Sequence, residues 1–153
     1  QRLRRYGVHT AIETAGDAPL SRLLPLAQQC DEVLFDLKIM DPEQARAVVN
    51  MNLPRVLDNL NRLLAEGINV IPRVPLIPGY TLHPANITRV LEFLIPSGIR
   101  QLHLLPFHQY GEPKYRLLGY AWTMSHVAAP DADEIAAVRL LAERAGFQVT
   151  VGG

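Results

Sequence analysis

The stretch EVLFDLKIMD, residues 32–41, decides the fold class of this chain. Its apolar beginning predicts a β-strand over Val33–Lys38, and the run Val33-Leu34-Phe35 is typical of a strand that is covered on both faces. Four further apolar runs predict strands, namely Val8–Thr14, Val70–Leu76, Gln101–His108 and Phe147–Val151. Because helical patterns separate these runs, the sequence predicts a parallel sheet built from βα units.

The segments between the strands carry apolar residues at helical spacing. They predict helices within LSRLLPLAQQCDE (20–32), LPRVLDNLNRLLAEG (53–67), PANITRVLEFLIPSG (84–98) and DADEIAAVRLLAERAG (131–146). A closed eight-stranded barrel takes about 250 residues, and this chain has 153. We therefore expect one α/β domain over residues 1–153, a partial parallel (β/α) barrel, with a lid or binding loop at Gln109–Pro130.

The composition excludes several classes of function. The 15 Lys and Arg residues balance 15 Asp and Glu residues, so no net charge draws the chain to nucleic acid or to an anionic membrane. No apolar run approaches the roughly 20 residues of a membrane helix, and no apolar signal segment opens the sequence. The single cysteine, Cys30, makes no intrachain disulfide, which favours the reducing cytoplasm.

Ionisable residues lie at the ends of the first four predicted strands. They are Glu13, Asp36 with Lys38, Arg73 and His108. The carboxyl ends of parallel strands share one rim, where ligands bind. Asp36 and Lys38 are two positions apart, so their side chains share a face of the strand, and a carboxylate beside an ammonium suits a zwitterionic ligand.

Each of these residues also has a purely structural interpretation. Asp36 and Lys38 can form a salt bridge at the rim, and Arg73 can pair with a neighbouring carboxylate. Glu13 can cap the following helix, and His108 can make one structural hydrogen bond. The coincidence of all of them at one rim favours a site for a small polar ligand.

Four segments resemble a known family in their order and spacing. They are HTAIETAG (9–16), EVLFDLKIMD (32–41), VIPRVPLIPGY (70–80) and LHLLPFHQYGEPKYRLLG (102–119). They are similar to the C-terminal two-thirds of glycyl-radical-enzyme activating enzymes, the pyruvate formate-lyase activating family of radical S-adenosylmethionine enzymes. The resemblance implies a (β/α)6 barrel and a 4Fe-4S cluster held by an earlier CxxxCxxC segment. This sequence lacks that segment, so we expect the C-terminal portion of a longer enzyme.

The resemblance also implies binding roles for individual residues. Asp36, Leu37 and Lys38 would bind S-adenosylmethionine, Leu37 through its backbone, and His108 would close over the nucleoside. None of these residues would be a proton-transfer catalyst.

Further residues of the implied site surround the methionyl group. Glu13 and Thr14 would lie beside it, and Glu13 with Asp36 would hold a monovalent cation. Arg73 would lie near the cofactor or near a bound peptide.

The implied reaction begins when the cluster reduces S-adenosylmethionine, which requires an electron donor such as flavodoxin or ferredoxin. The 5′-deoxyadenosyl radical would then take a hydrogen atom from a glycine of a pyruvate formate-lyase-like partner. Two other functions remain open. One is a non-catalytic module that binds a nucleoside or docks a partner, and the other is an aldolase-type enzyme with Lys38 as a Schiff base.

The expected truncation has a physical consequence. If strands before Val8–Thr14 are absent, that strand has an unpaired edge and the barrel interior is open. We expect the isolated chain to self-associate, which light scattering would detect.

Overall fold

The computed structural model describes residues 3–152, which form one parallel sheet of five strands with helices between them. The strands are β1 (Ala11–Thr14), β2 (Glu32–Asp36), β3 (Val70–Leu76), β4 (Gln101–Pro106) and β5 (Gln148–Val151). All five predicted strands are confirmed, β3 with the predicted bounds and the other four with bounds that differ by one to three residues at one or both ends. β1 begins at Ala11 rather than Val8, β2 ends at Asp36 rather than Lys38, and β4 ends at Pro106 rather than His108.

Six α-helices lie between the strands within residues 3–152. They are α1 (Leu20–Ala27), α2 (Pro42–Val49), α3 (Leu53–Ala65), α4 (Pro84–Leu94), α5 (Glu112–Leu117) and α6 (Ala132–Arg144). Three short 3-10 turns accompany them at Leu3–Tyr6, Ile95–Ser97 and Gln109–Gly111. Helices α1, α3, α4 and α6 confirm the four predicted ones. Within the described range, no helix combines the length and the apolar character that crossing a membrane requires.

Helix α2 was not predicted, although its sequence contains a start signal. The carboxylate of Asp41 accepts hydrogen bonds from the backbone N–H groups of Glu43 and Gln44, and Pro42 occupies the first turn. An Asp cap followed by Pro is a standard beginning for a helix. The apolar periodicity of α2 is weak, since only Ala45 of this helix is buried.

The strand order follows the chain, β1-β2-β3-β4-β5, and all neighbouring pairs are parallel. Each strand is added on the same side of the one before it, and the connection between two neighbouring parallel strands is right-handed. All helices therefore lie on the same face of the sheet. The core lies between that face and the helices. It includes the strand residues Val33, Phe35, Val74, Leu76, Leu102 and Leu104, together with Leu37 directly after β2. This arrangement confirms the predicted partial (β/α) barrel.

The opposite, inner face of the sheet is more open than expected. β2 was predicted to be covered on both faces, but Leu34 and Asp36 on its inner face are only half-buried. The strand that is covered on both faces is the central β3, where Ile71 and Arg73 are buried on the inner side. A central strand has neighbours on both sides, and their side chains shield its inner face.

The sheet ends at β1 and β5. Among the described residues, β1 pairs only with β2 and β5 only with β4, so each keeps an edge without a strand partner. Free edges of this kind favour association between chains. The expected self-association stays a prediction.

Candidate functional site

A row of polar residues crosses the inner face of the sheet. Asp36 of β2 is paired with Arg73 of β3, Arg73 with His103 of β4, and His103 with Thr150 of β5. Paired residues of parallel strands point to the same face, so these four side chains share the inner surface. Ligands of parallel α/β folds bind at the carboxyl ends of the strands. The row reaches that end at Asp36, the last residue of β2, whereas Arg73 lies in the middle of β3.

Arg73 links two carboxylates in this region. Its Nε and Nη2 atoms each lie 2.8 Å from Oδ1 of Asp36, and Nη2 also donates to Oε2 of Glu13 at 2.9 Å. Arg73 itself is nearly buried, with 8% of its surface exposed. Two carboxylates against one guanidinium leave one negative charge, so the group is suited to receive a cationic ligand.

The ion pair between Glu13 and Arg73 favours the charged form of both groups. The hydrogen bond from Arg73, followed by its positive charge, lowers the pKa of Glu13, and the hydrogen bond to Glu13 is the largest effect that raises the pKa of Arg73. The side chain of Glu13 is 66% exposed, so solvent screens this pair. The more buried pair of Arg73 with Asp36 therefore contributes more to stability.

A cavity of about 510 Å³ opens beside this group. Its walls contain Glu13, Arg73, Leu105, Pro106, Phe107, His108, Tyr110 and Gly152. The Nδ1 atom of His108 accepts a hydrogen bond from the backbone N–H of Tyr110 at 3.3 Å, and the two rings lie 4.3 Å apart. Pockets for small ligands usually measure 300–1,000 Å³, so this cavity has the size of a ligand site.

The structure brings some of the sequence-predicted residues to this cavity and not others. Glu13, Arg73 and His108 line it, and Asp36 is connected to it through Arg73. Thr14 lies on the opposite face of β1 from Glu13, and its hydroxyl accepts a hydrogen bond from Gly16 N–H at 3.0 Å.

The segment after β2 differs from the sequence expectation in its ionic contacts. Within residues 3–152, Lys38 neither lines the cavity nor forms an ion pair, and Asp36 pairs with Arg73 instead. Leu37 is fully buried, and its N–H donates to the carbonyl of Arg73 at 2.9 Å. Arg73 thus contacts the end of β2 through both its side chain and its backbone.

Comparison with known proteins agrees with this architecture, although no protein-family model matches the chain. The pyruvate formate-lyase 2-activating enzyme of Escherichia coli K12 is 69% identical over 153 residues, which are 100% of this chain and 52% of that protein. Over its whole length, the chain is therefore similar to about half of a glycyl-radical-enzyme activating enzyme. A further relative, the trans-4-hydroxy-L-proline dehydratase activating enzyme of Clostridioides difficile, is 28% identical over 149 residues, 96% of this chain and 49% of that protein. The chain spans about half the length of these curated relatives.

Solved structures share the fold of this chain. A domain of the pyruvate-formate lyase-activating enzyme from Bacteroides vulgatus superposes with a TM-score of 0.79 at 23% identity, covering 99% of this chain and 86% of that domain. Streptococcus suis SuiB bound to S-adenosylmethionine superposes with a TM-score of 0.63 at 11% identity, covering 99% of this chain and 34% of that protein. Both similarities concern the fold alone.

The described part of the chain does not fit an iron–sulfur cluster. A 4Fe-4S cluster is held by several cysteine thiolates, and the sequence has one cysteine. Among residues 3–152, no group of three or more His, Cys, Asp or Glu side chains is placed to hold a metal ion. The ligands of the cluster that the family resemblance implies are therefore not found in this region.

Sequence reasoning missed two buried asparagines that fix the loops of this activating-enzyme fold. The Asn86 amide donates to the carbonyls of Lys38 at 2.8 Å and Thr81 at 2.9 Å, and its oxygen accepts from Met40 N–H at 2.7 Å. These bonds hold the segment after β2. The Asn59 amide donates to the carbonyl of Gly16 at 2.6 Å and thereby holds the loop after β1.

Both asparagines carried a sequence signal. Asn59 lies three positions after Val56 and four before Leu63, and Asn86 lies four before Val90, so each falls on the apolar face of its helix. A polar residue on such a face is buried, and a buried amide needs hydrogen-bond partners. This pattern identifies residues that anchor a neighbouring loop.

Proposed function

We propose that this chain is the S-adenosylmethionine-binding part of a radical S-adenosylmethionine activating enzyme, which generates a glycyl radical on a pyruvate formate-lyase-like partner. The observation that carries the proposal is the linked group of Glu13, Arg73 and Asp36 beside a ligand-sized cavity. The 69% identity to an activating enzyme supports the same interpretation.

The cavity suits S-adenosylmethionine in charge and shape. The excess negative charge of the Glu13–Arg73–Asp36 group attracts the sulfonium and the ammonium of the methionyl part. The rings of His108 and Tyr110 lie against each other with 30° between their planes, and an adenine can stack on an outer face of this pair. A volume of about 510 Å³ is sufficient for a nucleoside ligand.

The proposed binding set also includes Lys38, Leu37 and Thr14, which do not line the cavity itself. Lys38 and Leu37 belong to the segment at the end of β2, where the Asn86 amide fixes the Lys38 carbonyl. Thr14 directly follows Glu13 at the end of β1. A monovalent cation held by Glu13 and Asp36 would have to displace the Arg73 guanidinium, which now lies between the two carboxylates.

Glu13, Arg73 and Asp36 would hold S-adenosylmethionine, which on one-electron reduction would break its sulfur–carbon bond, release methionine and supply the 5′-deoxyadenosyl radical that takes a hydrogen atom from the glycine. The residues of this chain bind and orient the cofactor and limit the access of water. The electron source belongs to groups outside residues 3–152, and the proposal includes flavodoxin or ferredoxin as donor. The single cysteine suits the reducing cytoplasm as the location.

A chimera tests this proposal. This chain replaces the matching 153 residues of the Escherichia coli relative, which supplies the remainder of the enzyme. Calorimetry then compares S-adenosylmethionine binding by the parent chimera, Asp36→Ala, Lys38→Ala and, as a control, Arg55→Ala on α3. We expect both rim variants to lose at least about tenfold in affinity, equivalent to 1.4 kcal/mol, and the control to bind like the parent.

Two results would contradict the proposal. Equal binding by all four proteins would remove the assigned site. Failure of the cluster-loaded parent chimera to form 5′-deoxyadenosine under reducing conditions would remove the assigned reaction.

A further inference from the structure

Large apolar side chains are concentrated on the surface of one segment, the lid, defined as residues 109–130 between β4 and α6. Between 42% and 88% of each of these side chains is exposed: Tyr110, Tyr115, Leu117, Leu118 and Tyr120. We call these five residues the lid surface. Single exposed apolar residues are ordinary, but a cluster of them marks an interaction site.

The exposure of the lid surface does not result from a loose loop. The Gln109 amide donates to the carbonyls of Met124 at 3.0 Å and Val127 at 2.8 Å, and its oxygen accepts from the indole N–H of Trp122 at 2.6 Å. The ring of Trp122 meets the ring of Tyr115 edge-on at 4.9 Å. The lid therefore has its own internal bonds, and these bonds leave the apolar side chains directed outward.

The lid surface is continuous with the proposed cofactor site. Tyr110 lines the cavity together with Glu13 and Arg73, and it also belongs to the lid surface. A molecule that reaches the cavity from the rim passes beside Tyr110. If that molecule is a segment of a large protein, its flanking residues extend over the neighbouring lid.

We propose that the lid surface docks the segment of the glycyl radical enzyme that carries the target glycine. This inference rests on the proposed function, because that function requires a protein backbone to reach the cavity. The apolar and aromatic lid residues would contact apolar side chains on both sides of the glycine. Lys114 forms no ion pair within residues 3–152, whereas Arg116 is paired with Glu112 at 2.9 Å, so an acidic residue of the partner would face Lys114.

The test measures partner binding directly. The chimera carries Leu117→Ser with Tyr120→Ser, two lid residues that do not line the cavity. The matched control carries Leu26→Ser with Val48→Ser, since these residues of α1 and α2 are also about half exposed.

Biolayer interferometry with Escherichia coli pyruvate formate-lyase 2 as probe gives the dissociation constants. We expect the lid variant to bind at least about tenfold more weakly and the control to bind like the parent, because two truncated interface residues commonly cost that much.

Two readouts separate docking from damage to the site. Reductive cleavage of S-adenosylmethionine without partner is expected to proceed equally in parent, lid variant and control. Activation of a short glycine-containing peptide is expected to change by less than about twofold, because a short peptide that reaches the cavity passes Tyr110 but does not extend to Leu117 and Tyr120, the two residues that the variant changes.

Several outcomes would overturn the inference. Unchanged affinity of the lid variant for the partner would do so, as would an equal loss with the short peptide and with the whole partner. If only the lid variant had a lower thermal stability, another part of the chimera would cover this surface. If the parent were a dimer and the lid variant a monomer, a second copy of the chain would cover it. Absence of S-adenosylmethionine cleavage in the parent would instead count against the proposed function, and the binding measurement would still decide on the lid.

Discussion

Arg73 holds the Asp36 carboxylate with two nitrogens, since Nε and Nη2 both lie 2.8 Å from Oδ1. The register of β2 and β3 places these two residues directly opposite each other. A guanidinium can donate from two nitrogens at once, which an ammonium group cannot do. The pair therefore fixes the position of one carboxylate of the proposed site and connects two strands.

Arg73→Leu is expected to lower the free energy of unfolding by about 2 kcal/mol. Breaking a buried ion pair costs about 3–5 kcal/mol, and the partial exposure of Asp36 and Glu13 reduces that cost. Urea unfolding of the 153-residue chain measures the change. The double variant Asp36→Asn with Arg73→Leu should recover part of the loss, because it leaves no isolated carboxylate at position 36.

Arg55→Leu is the control for this prediction. Arg55 also pairs with an aspartate, at 2.6 Å from Asp17, but its side chain lies at the surface. We expect a loss of about 1 kcal/mol or less. If Arg73→Leu and Arg55→Leu lowered the free energy of unfolding equally, the burial of the Arg73 ion pairs would add nothing to stability.

Gly16→Ala should be more destabilising than the same change at another glycine with the same backbone angle. Gly16 has a φ of +70°, and an added Cβ would lie 2.1 Å from Cζ of the fully buried Phe35. Gly67 also has a φ of +70°, but an added Cβ there would meet nothing within 4 Å. Gly67→Ala therefore measures the backbone cost alone.

We expect a loss of about 1 kcal/mol for Gly67→Ala and of about 3 kcal/mol for Gly16→Ala, because overpacking adds roughly 1–3 kcal/mol. Thermal and urea unfolding of both variants provide the comparison. If the two variants lost the same stability, the close contact between Gly16 and Phe35 would be absent in solution.

The strands were predictable because each apolar run is short and bounded by turn residues. The alternation in β2 continues past its end, so that Leu37 is buried and Asp36 and Lys38 are half-buried, as the two-residue period requires. The partner of Asp36 was not predictable. The period assigns a residue to a face, but only the register between β2 and β3 places Arg73 beside it.

The missed elements have a physical reason as well. Helix α5 is short, with six residues and no buried side chain, so it produces no apolar periodicity. Asn86, in contrast, was detectable, because it occupies an apolar-face position of α4. Its role depends on three partners in two loops, and sequence spacing does not identify such distant contacts.

Asn86→Ala is expected to lower the free energy of unfolding by about 3 kcal/mol. The change leaves the carbonyls of Lys38 and Thr81 and the N–H of Met40 without their side-chain partner, and each buried group left unsatisfied costs about 1–3 kcal/mol. Denaturant unfolding measures the loss. Thr88→Ala, at an exposed position of the same helix, should change the stability by less than about 0.5 kcal/mol.

Asn86→Asp gives a sharper version of this test. An aspartate keeps the acceptor for Met40 N–H but turns an oxygen toward the carbonyl of Lys38, so we expect a raised pKa for the new carboxyl. Its folded state then binds more protons than the unfolded state. The variant should lose stability as the pH rises above about 4. A loss that does not change with pH would contradict the assigned hydrogen bonds.

Asp17 is expected to make stability depend on pH in the acidic range. Burial raises the pKa of Asp17, but the backbone N–H of Asn52 and the guanidinium of Arg55 outweigh burial, so the pKa is lowered overall. A carboxyl with a lower pKa in the folded state stabilises the protein above its ordinary pKa of about 4. That contribution is lost as the pH falls through the folded-state value.

The comparison of wild type with Asp17→Asn isolates this effect. At pH 7 the variant should be less stable by about 1 kcal/mol, because it lacks the charge that holds Arg55 and receives the Asn52 N–H. We expect urea unfolding at several values between about pH 7 and pH 3 to show that the difference in unfolding free energy between wild type and Asp17→Asn becomes smaller as Asp17 of the wild type is protonated. Arg55→Gln should reduce the same pH dependence. A difference that stays constant over this range would mean that Asp17 is not held by these partners in solution.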